Sequence, residues 1–183
     1  MKTFKTMLKT ELKLSLRGMD MFIFAICMPV VVIVLLGIIY GDKPAFADAE
    51  YTFLQQSFGA VSTIAICAGG LMGLPLVVSD YRNRKILKRL KVTPVKPITI
   101  LLVEIAIYCI YSLVSLALIY LVAFLFFDFQ IMGNFLQFFI SFVLVMLSMF
   151  SIGMMVGGIA PNMKIASTVA SILYFPMLIF SGA

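Results

Sequence analysis

The chain has 183 residues, of which 63% are hydrophobic and 12% are charged, and its formal net charge at pH 7 is +6. With a mean hydropathy of +1.14, this composition excludes an ordinary soluble domain and indicates a protein that crosses a membrane several times. There is no histidine, and all three cysteines lie inside apolar stretches, which favours buried thiols over metal ligands or disulfides.

The first element in chain order is a short basic helix, expected over residues 1–18. At about 100° per residue, apolar side chains share one face and basic side chains share the other. The apolar face comprises Phe4, Met7, Leu8, Leu12 and Leu14, and the basic face comprises Lys2, Lys5, Lys9, Lys13 and Arg17. This pattern predicts an interfacial helix whose apolar face lies in the lipid headgroup region, with Glu11 as the exception on that face. A solvated basic leader is the alternative.

Five apolar runs follow, each near the length of about 20 residues that crosses a bilayer as a helix. They cover residues 21–40, 55–78, 98–127, 135–157 and 165–183. The runs are continuous rather than alternating, which favours helices over a β-barrel. Because the connecting segments are short, we expect one all-α transmembrane domain over residues 1–183.

The distribution of charge predicts the orientation of this domain. If the N-terminus is cytoplasmic, every Lys and Arg except Lys43 falls on the inner side of the membrane. The outer loops then carry these acidic residues: Asp42, Asp48, Glu50 and Asp128. This asymmetry follows the positive-inside rule, so the sequence predicts a multi-pass protein of the cell membrane with a cytoplasmic N-terminus. The net positive charge therefore requires no nucleic-acid partner.

A strongly basic segment, residues 79–97 (SDYRNRKILKRLKVTPVKP), separates the second and third apolar runs. Within residues 82–92, Ile86, Leu87 and Leu90 would form an apolar stripe on a helix of about two to three turns. Three interpretations are open: a loop whose charges only orient the protein, a voltage-sensing helix, or a helix that docks on a cytoplasmic partner. Polar residues between the spaced charges argue against the voltage sensor, because desolvating them is costly.

Small and ionisable residues inside the apolar runs are the remaining signals. Two glycine pairs have the G-x-x-x-G spacing of closely packed membrane helices, namely Gly69 with Gly73 and Gly153 with Gly157. Packing within the chain explains them at least as well as contact between chains. Glu104 is the one acidic residue inside a run; we expect it to pair with a nearby Lys or Arg, with a functional role as the alternative.

The order of these elements resembles the type-2 ABC transporter permease family, the membrane subunits of bacterial drug, antibiotic and polysaccharide exporters. One match is KILKRLKVTPV, with Leu87, Leu90, Thr93, Pro94 and Val95 at the family's Leu-x-x-Thr-Pro-Val-like positions. The other is the fifth run, where Phe175-Pro176 and Ser181-Gly182 resemble the family's Phe-Pro and Ser-Gly pattern. A departure is Arg84-Lys85-Ile86, which stands where the family has a Gly-Thr pair.

The resemblance implies that residues 79–97 form a coupling helix that docks on a separate ATPase. The residues implied in this coupling are Asp80, Arg82, Ile86, Leu87, Leu90, Thr93 and Pro94. Those implied in a gate or pathway are Phe175, Pro176, Ser181 and Gly182. The family also has a sixth span, so we expect this chain to be incomplete at its C-terminal end.

The implied function is that of the permease subunit of an ATP-binding-cassette exporter, which moves an amphipathic or lipophilic substrate by alternating access. The sequence has no G-x-x-x-x-G-K-[ST] phosphate loop and no paired carboxylates in a polar segment, so we expect neither enzymatic activity nor a bound cofactor. ATP and Mg²⁺ would bind the partner ATPase. Further partners would be membrane lipid and a second permease, with the path near the first, second and fifth spans. An ATP-independent carrier, or an immunity or sensor protein, is the alternative.

Overall fold

The computed structural model describes residues 2–18, 23–41, 43–45, 51–86, 88, 96–127, 129–130 and 133–180. These residues form seven α-helices and two π-helical segments, and no strand occurs among them. The elements in chain order are α1 (Lys2–Gly18), π1 (Ile23–Cys27), α2 (Met28–Tyr40), α3 (Phe53–Cys67), π2 (Ala68–Gly73), α4 (Leu74–Asn83), α5 (Pro97–Phe127), α6 (Phe135–Ile159) and α7 (Met163–Phe180). The predicted all-α class is confirmed.

In the part of the chain that the structure describes, four helices are long and apolar enough to cross a membrane. They are Phe53–Asn83, Pro97–Phe127, Phe135–Ile159 and Met163–Phe180, with lengths of 31, 31, 25 and 18 residues. The first apolar run forms a shorter helix made of π1 and α2, which follows residues outside the described part of the chain. The expected number of five spans therefore stays a prediction.

The helix Phe53–Asn83, which joins α3, π2 and α4, lies at the centre of the bundle and is called the central helix below. In its most apolar window 78% of the residues are buried, against 28% in α5, 28% in α6 and 11% in α7. Small residues explain this position, because Gly69, Gly70 and Gly73 let neighbouring helices approach its backbone closely. The other spanning helices surround it, and each of them exposes several large apolar side chains.

Two buried clusters fill the bundle, one towards each end. The cluster towards the α1 end includes Ile66, Val103, Ile107, Tyr108 and Phe150. The cluster towards the opposite end includes Ile33, Leu54, Phe58, Ile119 and Phe129. At that opposite end, Thr52 begins the central helix with a capping box, in which Thr52 and Gln55 bond each other's backbone N–H groups.

Most of the apolar face of α1 packs against the rest of the protein. Phe4, Met7, Leu8 and Leu12 pack against the cluster at the α1 end, and the Tyr111 hydroxyl of α5 lies 2.8 Å from Ser15 Oγ. Four of the five residues of the predicted lipid-facing side therefore contact protein, whereas Leu14 is 63% exposed. The reason is that the neighbouring spanning helices offer α1 an apolar surface. The sequence pattern of one helix shows which side is apolar, but it does not show whether lipid or protein covers that side.

The central helix continues into the basic segment and then breaks. Asn83 is its last residue, and Lys85 has a φ of 57°, a left-handed conformation that an α-helix cannot contain. The segment predicted over residues 79–97 is therefore not one separate helix, because its first five residues belong to α4. The helix predicted over 82–92 is likewise interrupted at Lys85. Residues 87 and 89–95 lie outside the described residues.

Candidate functional site

The last turn of the central helix bonds to the helices on either side, and this place is called the junction below. It comprises Tyr81 and Arg82 of α4, Glu104 of α5, and the backbone carbonyl groups at the end of α6. The junction lies where the apolar central helix meets the basic segment. Consecutive residues on a helix point about 100° apart, which is why Tyr81 and Arg82 reach different neighbours.

On one side of the junction, Tyr81 joins the central helix to α5. Its hydroxyl group donates to Glu104 Oε1 at 2.8 Å, and the Glu104 side chain is only 5% exposed. The carboxylate of Glu11, on the apolar face of α1, interacts electrostatically with both groups. Because a phenol has one proton to donate, only one of these carboxylates can receive it. Among the described residues, the hydrogen-bond partner of Glu104 is thus a tyrosine and not the predicted Lys or Arg.

On the other side, Arg82 joins the central helix to the end of α6. One guanidinium nitrogen, Nη1, donates to the carbonyl oxygens of Gly157, at 3.2 Å, Gly158 and Ala160, at 3.4 Å. The last carbonyl groups of a helix lack partners within it and carry partial negative charge. With its two hydrogens, Nη1 can therefore serve two of these carbonyl groups at once, and the guanidinium group supplies the opposite charge.

Asp80 and Arg84 form an ion pair on the outer surface of the same turn. Arg84 Nε lies 2.9 Å from Asp80 Oδ2, and the Arg84 side chain is 71% exposed. An exposed i,i+4 pair of this kind contributes about 0.3–0.5 kcal/mol. The pair therefore keeps the end of α4 regular, and it leaves Asp80 with an intramolecular partner.

Above the junction, glycines bring α6 into contact with the central helix. A Cβ added to Gly157 would lie 2.9 Å from the Cβ of Val78 and 3.1 Å from the backbone of Pro75. A Cβ added to Gly153 would overlap the carbonyl oxygen of Gly70. This glycine pair thus faces the central helix of its own chain. In the other pair, Gly69 faces Tyr108 and Ser112 of α5, and Gly73 is buried.

A cavity of about 240 Å³ lies between the central helix, α6 and α7, and is called the groove below. It is lined by Thr63, Ile64, Cys67, Met149, Tyr174, Met177, Leu178 and Phe180. Nearly all of its surface is apolar, and it is open on one side. Such a groove has the shape and polarity to hold an apolar part of a molecule.

Comparison with known proteins decides the family. The sequence model described as ABC-2 type transporter matches residues 2–183, almost the whole chain. The chain belongs to the ABC-2 type transporter family. No curated protein and no solved structure gives a significant match. The predicted resemblance to type-2 ABC permeases is thus confirmed, and the chain is a multi-pass membrane component of an ABC-2 type transporter.

In this ABC-2 type protein the predicted coupling residues are only partly described. Asp80 and Arg82 lie on α4 with the partners given above, and Ile86, directly after the turn at Arg84 and Lys85, is helical and half-buried. The remaining predicted coupling residues, Leu87, Leu90, Thr93 and Pro94, lie outside the described residues. Their role as a docking surface stays a prediction.

The predicted pathway residues are also divided. Phe175 is 57% exposed on the outside of α7, and Pro176 lies inside that helix. Ser181 and Gly182 lie outside the described residues. The groove of the ABC-2 type protein is instead lined by residues that the sequence analysis did not single out, such as Thr63 and Tyr174. No sequence motif marks them, because they come from three different helices.

Tyr81 is the other residue that the sequence analysis missed. A signal for it existed, since a tyrosine at the boundary between an apolar run and a basic segment combines an apolar ring with a polar tip. Its partner, however, is 23 positions away in the sequence. Among the described residues, no three or more His, Cys, Asp or Glu side chains are placed to hold a metal ion.

Proposed function

We propose that this ABC-2 type protein is the permease subunit of an exporter, driven by ATP hydrolysis in a separate subunit. The observation that carries the proposal is the family match over residues 2–183. In that arrangement the chain itself is not an enzyme. ATP and Mg²⁺ bind an ABC nucleotide-binding subunit, and a second copy of this chain or a homologous permease completes the membrane part.

The junction and the basic segment face the cytoplasm in this proposal. The charge distribution supports it, because Lys43 is the only basic residue that would lie outside. Lys5, Lys9 and Lys13 are exposed along α1 at the same end of the bundle as the junction, where anionic lipid headgroups attract them. The N-terminus is then cytoplasmic, in the cell membrane.

The ATPase subunit docks on residues 79–97. The apolar side chains of Ile86, Leu87 and Leu90 enter a groove on that subunit, and the surrounding Lys and Arg side chains favour an acidic rim. Lys85 supports this arrangement, because its left-handed conformation ends the central helix just before the apolar stripe. The spanning helix therefore does not continue from α4 through Lys85 into the sequence of the apolar stripe.

The exported substrate is amphipathic or lipophilic. The groove supports this class, because its wall is apolar apart from a few groups such as the Thr63 and Tyr174 hydroxyls. Two methionines, Met149 and Met177, contribute flexible side chains that adapt to differently shaped molecules. Alternating access between two permeases then exposes the pathway to each side of the membrane in turn.

The test replaces the docking stripe. Changing Leu87 and Leu90 together to Asp should abolish co-purification with a co-expressed ABC nucleotide-binding subunit, because each buried leucine contributes about 1.5–3 kcal/mol. The matched control is Lys85→Ala with Lys88→Ala, which changes the charge of the segment by the same amount but keeps the stripe. Co-purification and substrate-stimulated ATP hydrolysis should persist in the control. If they also persist in the Leu variant, the segment is only a topology signal, and an ATP-independent carrier or sensor becomes the better proposal.

A further inference from the structure

We propose that Arg82 is a positioning residue that transmits the movement of the basic segment to the groove through the end of α6. This inference rests on the proposed function, since it needs an ATPase that moves the basic segment. It concerns a residue that the resemblance placed at the ATPase contact. The geometry points to a different role, because the guanidinium group of Arg82 bonds α6 rather than extending into the cytoplasm.

The first argument is the set of elements that Arg82 holds together. It belongs to the central helix, and its acceptors are Gly157 and Gly158 of α6 and Ala160 in the turn that leads to α7. The groove is lined by the central helix, by α6 and by α7, which follows that turn, and by no described residue of α1, α2 or α5. A shift of Arg82 therefore changes the relative positions of the helices that form the groove wall.

The second argument is the stiffness of the connection. Gly153 and Gly157 place the backbone of α6 against Gly70 and Pro75 of the central helix, so the two helices interlock above Arg82. Closely packed elements transmit displacement because they have little empty space to absorb it. The backbone of the chain changes direction at Lys85, three residues after Arg82. A force on the basic segment thus acts on the end of a packed pair of helices.

The third argument is the contrast with the neighbouring side chains. Tyr81 bonds to α5, which does not line the groove. Arg84 follows α4 directly; among the described residues its side chain bonds to Asp80, and it is largely exposed. Arg82, the basic residue of α4 itself, is the one of the two arginines that bonds to α6 there. This contrast supplies two matched controls within one turn of helix.

The experiment uses the complete transporter in lipid vesicles, with Arg82→Gln, Arg84→Gln and Tyr81→Phe compared with the unchanged chain. Assembly, basal ATP hydrolysis and substrate-stimulated ATP hydrolysis are measured. We expect the transporter with Arg82→Gln to assemble and to keep its basal ATP hydrolysis. The stimulation of hydrolysis by substrate should fall by about fivefold or more, which corresponds to a typical coupling free energy between two sites. Arg84→Gln removes the same charge and should keep stimulation, as should Tyr81→Phe.

A second measurement reports on the groove itself. With the native cysteines replaced, Met177→Cys places a thiol in the groove wall, and its reaction rate with a small thiol reagent is compared with and without a trapped ATP analogue. In the protein that retains Arg82, the reaction rate of the thiol should depend on the nucleotide. Arg82→Gln should remove that dependence. A merely structural role for Arg82 would change the rate in both states by the same factor.

The outcomes separate this inference from the proposed function. If the unchanged chain shows no ATPase partner or no stimulation, the proposed function fails. If stimulation exists and Arg82→Gln behaves like Arg84→Gln, the inference is overturned and the function stands. Should Arg82→Gln fail to assemble, Arg82→Lys replaces it, because an ammonium group can bond a single carbonyl oxygen and so hold the end of α6 for assembly. It loses the other contacts of the guanidinium group, so stimulation should still fall below that of Arg84→Gln. Stimulation in the Lys variant equal to that of Arg84→Gln would then overturn the inference.

Discussion

Gly153 of α6 lies directly against the backbone carbonyl group of Gly70, so that a side chain at position 153 would overlap its oxygen atom. The two helices therefore touch through their backbones at this point. Lipid tails are as apolar as the side chains they would replace, so dispersion between closely packed helices stabilises the association. On the central helix, the contact is made by Gly70 of π2, the segment in which this helix departs from α-helical geometry.

The first prediction concerns this contact. Gly153→Ala should lower the free energy of unfolding by about 1–3 kcal/mol, because the backbones must separate to admit a methyl group. Thermal unfolding of the purified protein in detergent measures the effect. Gly158→Ala is the matched control, since a Cβ at position 158 meets nothing within 4 Å. Equal unfolding temperatures for the two variants would contradict the packing described here.

The second prediction concerns the left-handed residue at the end of the central helix. Lys85 has a φ of 57°, a conformation that glycine adopts without steric cost. Lys85→Gly should therefore raise the free energy of unfolding by up to about 1 kcal/mol. Lys85→Ala removes the same charge but keeps the steric cost, so it should not stabilise the protein. The unfolding temperature distinguishes them, and stabilisation by Ala alone would argue against the strained turn.

The third prediction concerns the hydrogen bond between Tyr81 and Glu104. Tyr81→Phe leaves the buried Glu104 carboxylate without this donor, which should cost about 1.5–3 kcal/mol of stability. In Glu104→Gln the amide oxygen still accepts from the tyrosine, so a smaller loss and near-normal transport are expected. A double-mutant cycle with Glu104→Ala measures the coupling between the two side chains. Normal expression of Glu104→Gln without transport would instead assign Glu104 a functional role.

The fourth prediction concerns membrane topology. Single cysteines at positions 46 and 83, in place of Phe46 and Asn83, should react oppositely with an impermeant thiol reagent in whole cells. Position 46 should be labelled from outside, because it lies in the loop predicted to face away from the basic segments. Position 83 should react only after the membrane is opened. Labelling of position 83 in intact cells would reverse the proposed orientation.

The fifth prediction concerns the groove. Met177→Trp places a larger side chain in a cavity of about 240 Å³, so it should reduce substrate stimulation of the ATPase while leaving basal hydrolysis unchanged. Ile172→Trp lies on the same helix at a site that is 64% exposed and serves as the control. Similar stimulation in the two variants would show that substrate does not occupy the groove.

The sequence predicted the elements of this fold better than their contacts. The apolar run at 98–127 corresponds to α5 (Pro97–Phe127), and that at 135–157 corresponds to α6 (Phe135–Ile159). Such runs are readable because hydrophobicity and length are local properties of a segment. The conformation of the basic segment was harder to predict, since no residue type near Lys85 in the sequence indicates a left-handed backbone conformation there. The ordered combination of weak motifs pointed to the family that the comparison confirmed.

By itself, the sequence determined that the protein is a helical membrane protein, approximately where four of its long apolar helices lie along the chain, and that it resembles ABC-2 type permeases. Only the tertiary structure decided which partners the polar side chains take. Glu104 bonds Tyr81, Arg82 bonds the end of α6, and the apolar face of α1 packs on protein. The physical reason is that burial in a membrane depends on the residues of one segment, whereas a hydrogen bond depends on the rotation and approach of two helices at once.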